Sequence, residues 1–272
     1  MSRCVLLMDH GSLEPASTVQ LREIAAGLES RLDVRVRPVS LAHSAKVPSE
    51  KLGGRAAELF EAALEQELGD GIREIFVVPL FIGPSHAVVR HVPAVVAEKQ
   101  QRFPAVCIGI AAPLYLAGDL RLAEILADHV RELVGDRSPR VAIVDHGSPS
   151  PAVTDVRNCL AAQVQALLGD AVKEVVACSM ERRDGAEFAF NEPLLDTLLR
   201  QPGWTTGEVV IGMVFIGPGK HAGSQGDVFE ICRQARGTSD GLKMTKLLGQ
   251  HPLLLEILAD RARHAFAVRG EL

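Results

Sequence analysis

Val5-Leu6-Leu7-Met8-Asp9-His10-Gly11-Ser12, near the start of the chain, returns as Val141-Ala142-Ile143-Val144-Asp145-His146-Gly147-Ser148 near its middle. A short apolar run closed by His-Gly-Ser reads as a strand buried on both faces and the turn that leaves it. Two further segments recur in the same order. Val78-Pro79-Leu80-Phe81-Ile82-Gly83-Pro84 matches Gly212-Met213-Val214-Phe215-Ile216-Gly217-Pro218, and a His follows each copy closely (His86, His221). Glu124-Ile125-Leu126-Ala127-Asp128 matches Glu256-Ile257-Leu258-Ala259-Asp260. The copies lie 136, 134 and 132 residues downstream, counted from His10 to His146, Gly83 to Gly217 and Glu124 to Glu256. That period is domain-sized, well beyond the roughly 20 to 50 residues of solenoid repeats. The sequence therefore predicts two homologous domains, 1–137 and 138–272, meeting near Ser138-Pro139.

The intervening pattern alternates strand and helix. After the first His-Gly-Ser, residues Val19, Leu21, Ile24, Ala25, Leu28 and Leu32 recur at helical spacing. Strands are expected over 4–8, 34–41, 75–80 and 106–110, with helices near 56–68, 92–102 and 119–134. The second half repeats this, with strands near 141–145, 173–180, 208–215 and 242–247. Such alternation builds a parallel sheet covered by helices on both sides. The expected fold class is α/β: two doubly wound domains with parallel four-stranded sheets, related by an approximate two-fold axis and sharing a central cleft. Ligands in such sheets sit outside the carboxyl ends of the strands. His10, His43, His86, His146, Glu181 and His221 all fall at or just past such an end.

Composition narrows the function classes. The 272 residues carry 29 Lys+Arg against 34 Asp+Glu, a formal net charge of −5, with 47% hydrophobic and 23% charged residues. Mild acidity without a basic stripe argues against nucleic acid as a partner. No apolar run reaches the roughly 18 to 20 residues of a membrane span, and the opening segment is too short for a signal h-region. The five cysteines are scattered and contain no C-x-x-C, which points away from a disulfide framework, a zinc knuckle or an iron–sulfur cluster. A cytoplasmic location is expected. There is no G-x-G-x-x-G and no G-x-x-x-x-G-K-[ST], so no nucleotide is expected, and no G-x-S-x-G for a serine hydrolase.

The chemistry-bearing residues then stand out by duplication. A lone His at a loop tip usually bonds locally; two copies of His-Gly-Ser that persist while their neighbours drift point to a site. His10 and His86 in the first half, and His146 and His221 in the second, each make a two-imidazole pair from adjacent strand ends. Imidazole suits Co, Fe, Ni and Zn alike. Glu181 lies past the second strand of its half, and counting along the repeat aligns it with His43. Two imidazoles and a carboxylate on separate strand ends form a transition-metal constellation with open positions; the competing role for Glu181 is a surface ion pair with Arg182 or Arg183. Gly217 and Gly219 allow backbone amides to approach an anionic ligand. With Lys220, Ser12 and Ser148 they are the expected ligand contacts. Arg182, Arg183 and Arg90 are placed to receive carboxylates. His129, His251 and His264 are expected at the surface or as helix caps.

The chain resembles the class II tetrapyrrole chelatases, specifically the sirohydrochlorin chelatases. The carrying residues are His10-Gly11-Ser12, His146-Gly147-Ser148, Phe215-Ile216-Gly217-Pro218-Gly219-Lys220-His221 and Leu248-Gly249-Gln250-His251-Pro252. The resemblance covers each half once and implies the fused form of a family whose short members are homodimers, so a monomer is expected. It implies insertion of a divalent metal substrate, Co2+ or Fe2+ with Ni2+ also suited, into sirohydrochlorin for cobalamin or sirohaem synthesis, without ATP. Carried over, the metal-binding or base residues are His146, Glu181 and His221 in the second half, and His10, His43 and His86 in the first. The first half departs from the pattern: it lacks the acidic residue, its loop before His86 is one residue shorter, and the Asp of a D-I-P-like segment is His91. The second half keeps Asp227 of that segment but has no Pro after it. The second site is therefore expected to be the principal one, with His146, His221, Glu181 and His10 as the catalytic candidates. Two other readings compete with insertion. One is a non-catalytic metal or tetrapyrrole carrier using the same histidines; the other is a metal-free enzyme using His10 and His146 as acid and base.

Overall fold

A computed structural model describes residues 3–135, 138–223 and 226–270. Its first sheet contains β1 (Arg3–Asp9), β2 (Arg35–Ser40), β3 (Glu74–Pro79) and β4 (Cys107–Ile110), all parallel, in the order β2-β1-β3-β4. The connecting helices are α1 (Pro15–Leu32), α2 (Phe60–Gly69) and α3 (Val92–Arg102), the last preceded by a π-helical turn over Ala87–His91. Successive residues of β1 face opposite sides of the sheet. Cys4, Leu6 and Met8 join Phe60, Leu64, Val92 and Val96 in one core, while Val5 and Leu7 are buried on the other side.

The second sheet repeats the pattern with β5 (Arg140–Asp145), β6 (Glu174–Ser179), β7 (Val209–Met213) and β8 (Leu242–Met244), again parallel and ordered β6-β5-β7-β8. Helices α5 (Pro151–Leu168), α6 (Leu195–Leu199) and α7 (Asp227–Arg236) connect its strands. Ala142, Val144, Leu195, Trp204, Ile211 and Val228 pack into its core. The expected doubly wound class is thus the observed one in both halves.

The compact units do not coincide with the sequence halves. The first comprises Met1–Ala117 together with Leu254–Leu272, the second Gly118–Leu253. The junction expected at 137–138 abuts residues 136 and 137, which lie outside the described residues. Two helices account for the difference. Helix α4 (Arg121–Arg131) packs on α5 and β7, and Arg131 Nη2 donates to the Leu167 carbonyl at 2.8 Å. Helix α8 (Leu253–Gly270) completes the first unit: Phe266 meets Phe76 edge-on with ring centroids 4.6 Å apart, and Arg261 donates to the carbonyls of Pro113 and Leu114. No helix among the described residues is long and apolar enough to cross a membrane.

His129 corrects its expected surface role. It is buried on α4, its ring 5.4 Å from that of His251. Burial, with His251 beside it, lowers its pKa. His251 does cap: its Nδ1 accepts from Leu253 N at 3.2 Å, and His264 is exposed on α8 as expected.

Candidate metal centre

In each unit the site begins where the first strand ends. Gly11 has φ +86° and Gly147 φ +94°, a region that L side chains rarely adopt. Both are packed against the loop after the second strand: a Cβ on Gly11 would lie 1.8 Å from the Ala42 carbonyl oxygen, and on Gly147 1.9 Å from that of Glu181. The backbone agrees, since Ala42 N donates to His10 O at 3.1 Å and Glu181 N to His146 O at 3.2 Å. Leu41 N and Met180 N likewise donate to Asp9 O and Asp145 O. Ala42 is therefore the counterpart of Glu181, which corrects the alignment of Glu181 with His43. His43 is one residue further on, with φ +63°, and stacks on His10 with centroids 5.7 Å apart.

Ser12 and Ser148 are committed to their own turns. Their hydroxyls accept from Glu14 N and Ser150 N, both at 3.0 Å, just before α1 and α5. Asn191, buried and not anticipated from the sequence, holds the second turn through both amide atoms: Oδ1 accepts from Ser148 N at 2.9 Å and Nδ2 donates to Ser148 O at 3.0 Å.

Behind each His stands a carboxylate at the strand end. Asp145 accepts from Ser179 Oγ at 2.6 Å and from Gly147 N at 3.1 Å. Arg157 Nη1 lies 3.8 Å from Asp145 and also donates to Ser179 Oγ and, at 2.9 Å, to Asn191 O. Burial raises the Asp145 pKa, and Ser179 and Arg157 oppose the rise. In the first unit Asp9 accepts from Ser40 Oγ at 2.6 Å, but Leu21 stands at the helix position of Arg157. Burial there pushes Asp9 up to about 6, against the opposing hydrogen bond from Ser40. Arg157 was not anticipated either; a lone Arg on an amphipathic helix reads as solvent-facing.

The second unit brings His146 against both Glu181 and His221. His146 Nε2 lies 3.4 Å from Glu181 Oε1, and the His146 and His221 rings meet edge-on with centroids 4.7 Å apart. All three side chains are at least partly open to solvent. His146 Nδ1 is 3.1 Å from Gly147 O, an acceptor, so Nδ1 is the donor and, in the neutral ring, Nε2 offers its lone pair to the Glu181 side. With the ring neutral in that tautomer, His146 Nε2 and the Glu181 carboxylate are two acceptors side by side, an arrangement that suits a shared cation. Their separation matches the edge of a tetrahedron with metal–ligand bonds of about 2.0–2.1 Å. Among the described residues no group of three or more His, Cys, Asp or Glu side chains is placed to hold a metal ion as it stands. His221 Nδ1 has its own partner, Asp227 Oδ2, at 2.7 Å.

The first unit brings His10 and His43 together, whereas His86 is exposed at the start of the π-helical turn. Among the described residues no carboxylate stands within ion-pair distance of these three histidines. In the loop after β7, Gly219 N donates to Ala222 O at 3.0 Å, and the Lys220 ammonium reaches Asp227 at 3.7 Å. Arg182 pairs with Glu192 at 2.8 Å, and Arg183 lies over the Phe188 ring.

Two parallel α/β units with this strand order make up a chelatase-like fold. Residues 4–133 match the family model CbiX. Similarity of fold extends across the whole chain. SirB from Bacillus subtilis with Fe3+ is 18% identical, with a TM-score of 0.75 over 99% of this chain and 98% of that one. SirB from Bacillus subtilis subspecies spizizenii in complex with cobalt is also 18% identical, with a TM-score of 0.72 over the same shares. CbiX, described as the terminal enzyme of sirohaem biosynthesis in denitrifying bacteria, is 14% identical, with a TM-score of 0.62 over 97% of this chain and 99% of that one. Curated proteins give no sequence match.

Proposed function

We propose that this chain is a sirohydrochlorin chelatase that inserts Co2+ or Fe2+ into the macrocycle in the cytoplasm, and that the second unit holds its principal site. The observation that carries this reading is the pair of facing acceptors, His146 Nε2 and Glu181 Oε1, 3.4 Å apart with the His221 ring beside them. The family match over residues 4–133 and the iron- and cobalt-bound SirB structures of the same fold support the same chemistry.

Metal insertion exchanges one divalent ion for two pyrrole N–H protons. His146, His221 and Glu181 would hold the ion through a few weak, exposed contacts, leaving positions for the pyrrole nitrogens. A neutral imidazole has the basicity to take up a departing proton near neutral pH. Glu181 lowers the electrostatic cost of a cation beside a ring still carrying its protons. Lys220 and Arg183 supply charge for substrate carboxylates. Ala42 at the place of Glu181 leaves the first unit without that carboxylate, and this is the reason for assigning turnover to the second.

The test is metal insertion assayed by sirohydrochlorin absorbance with purified metal-free protein. Turnover is expected to vanish in the double variant His146→Ala/His221→Ala and to persist in His10→Ala/His86→Ala. The reverse result assigns the chemistry to the first unit. Stoichiometric metal binding without turnover in the unaltered protein would make it a carrier.

A further inference from the structure

His221 is held from two directions by the start of α7. Val228 N donates to the His221 carbonyl at 3.2 Å and Asp227 N to that of Lys220 at 3.2 Å, which fixes the backbone. The ring is fixed separately, because Asp227 Oδ2 lies 2.7 Å from His221 Nδ1. An ionised carboxylate can only accept, so Nδ1 carries the proton and the lone pair is confined to Nε2. The Lys220 ammonium also lies 3.7 Å from the same oxygen. His146 reaches the same state by another route, its Nδ1 donating to Gly147 O.

We infer that Asp227 is a positioning residue that selects the His221 tautomer and aims its Nε2 at the incoming metal. This rests on the reading of His146, Glu181 and His221 as the metal site, and it adds a residue that does not touch the ion. A free imidazole divides its proton between two nitrogens and rotates about two torsions; the Asp227 contact removes both freedoms before metal arrives. Outer partners of this kind typically change metal affinity by about 10- to 100-fold. Among the described residues no carboxylate plays this part for His86 in the first unit, where His91 occupies the corresponding segment and faces Glu61 at 3.6 Å.

The experiment titrates Co2+ alone into the metal-free full-length protein and follows its visible d–d absorption, for the unaltered chain, His221→Ala, Asp227→Ala and Asp227→Asn. Asp227→Ala is expected to weaken binding by at least about tenfold and to alter the absorption envelope. Asp227→Asn keeps an oxygen acceptor for Nδ1–H and is expected to restore affinity to within a few-fold and recover the spectrum. Asp227→Ala matching the unaltered chain while His221→Ala loses binding would overturn the inference and leave the site intact. Asp227→Asn failing as badly as Asp227→Ala would also overturn it, because charge or direct ligation would then be at work. If His221→Ala itself binds normally, the site reading falls and the inference with it.

Discussion

Replacing Gly147 by Ala tests the link between the His-Gly-Ser turn and the site most directly. Its φ of +94° and the 1.9 Å from its would-be Cβ to the Glu181 carbonyl oxygen leave no room for a methyl group. Cβ contacts below 3.0 Å are essentially never seen, so the carbonyl must retreat by at least about 1.1 Å. That carbonyl belongs to the residue whose carboxylate faces His146 at 3.4 Å, so the displacement acts on the pair itself. Backbone strain adds roughly 1–3 kcal/mol of destabilisation, and a 1 Å misplacement at a reacting centre costs about 100-fold in rate. Gly11→Ala is the matched control. It meets the Ala42 carbonyl at 1.8 Å, an equal clash beside a residue with no carboxylate. Both variants should lose similar stability in thermal unfolding. Metal insertion should fall about 100-fold in Gly147→Ala and stay within a few-fold of normal in Gly11→Ala. Equal losses of turnover in the two variants, at equal folded fraction, would refute the reasoning.

Arg157→Leu copies the first unit's Leu21 and removes the cation from Asp145, Ser179 and Asn191; it should destabilise the second unit by about 3–5 kcal/mol at neutral pH in denaturant unfolding. The loss should shrink as the pH falls: the folded-state pKa of Asp145, already raised by burial and raised further without Arg157, leaves a penalty present above that pKa and relieved as the carboxyl protonates below it. Asn191→Ala strips both amide contacts from the Ser148 backbone and should cost at least about 2 kcal/mol, with weaker Co2+ binding measured alongside. His129 has a folded-state pKa lowered by burial, so it stabilises the fold above its unfolded value and that stability is lost as pH falls through the lowered one. The melting temperature should drop between pH 7.5 and 5.5, and His129→Phe should flatten the drop; an unchanged slope counts against it.

The strands, their parallel direction and the two His-Gly-Ser turns were legible because buried strands and tight turns leave short-range marks. Continuous apolar runs betray β1 and β5, and a Gly after His betrays the left-handed turn. The alignment of Glu181 with His43 failed for a physical reason. Counting residues ignores where β2 and β6 hand over to their loops, and the backbone bond to the preceding carbonyl places Ala42, not His43, opposite His10. Arg157 and Asn191 were invisible because a buried polar residue looks like a surface one until its partners are known. Asp227 was noticed only as part of a segment; its contact with His221 depends on how the loop after β7 folds back onto α7. The allocation of α4 and α8 left no trace at all. Glu124–Asp128 and Glu256–Asp260 carry the same residues, so either helix presents the same motif wherever it docks.

That allocation has a bearing on how the chain matures. The first unit is discontinuous: Phe76, Arg3 and Leu114 wait for Phe266 and Arg261, which leave the ribosome only after the whole second unit. The second unit, Gly118–Leu253, is complete before α8 has emerged. The part begun first is therefore completed after the second unit, and its sheet waits with the face destined for α8 uncovered while Gly118–Leu253 is made. A chain cut at the repeat junction would give two pieces, each bearing the helix that completes the other. Such pieces are complementary fragments rather than independent domains, and the covalent link between them keeps the two helices at high local concentration.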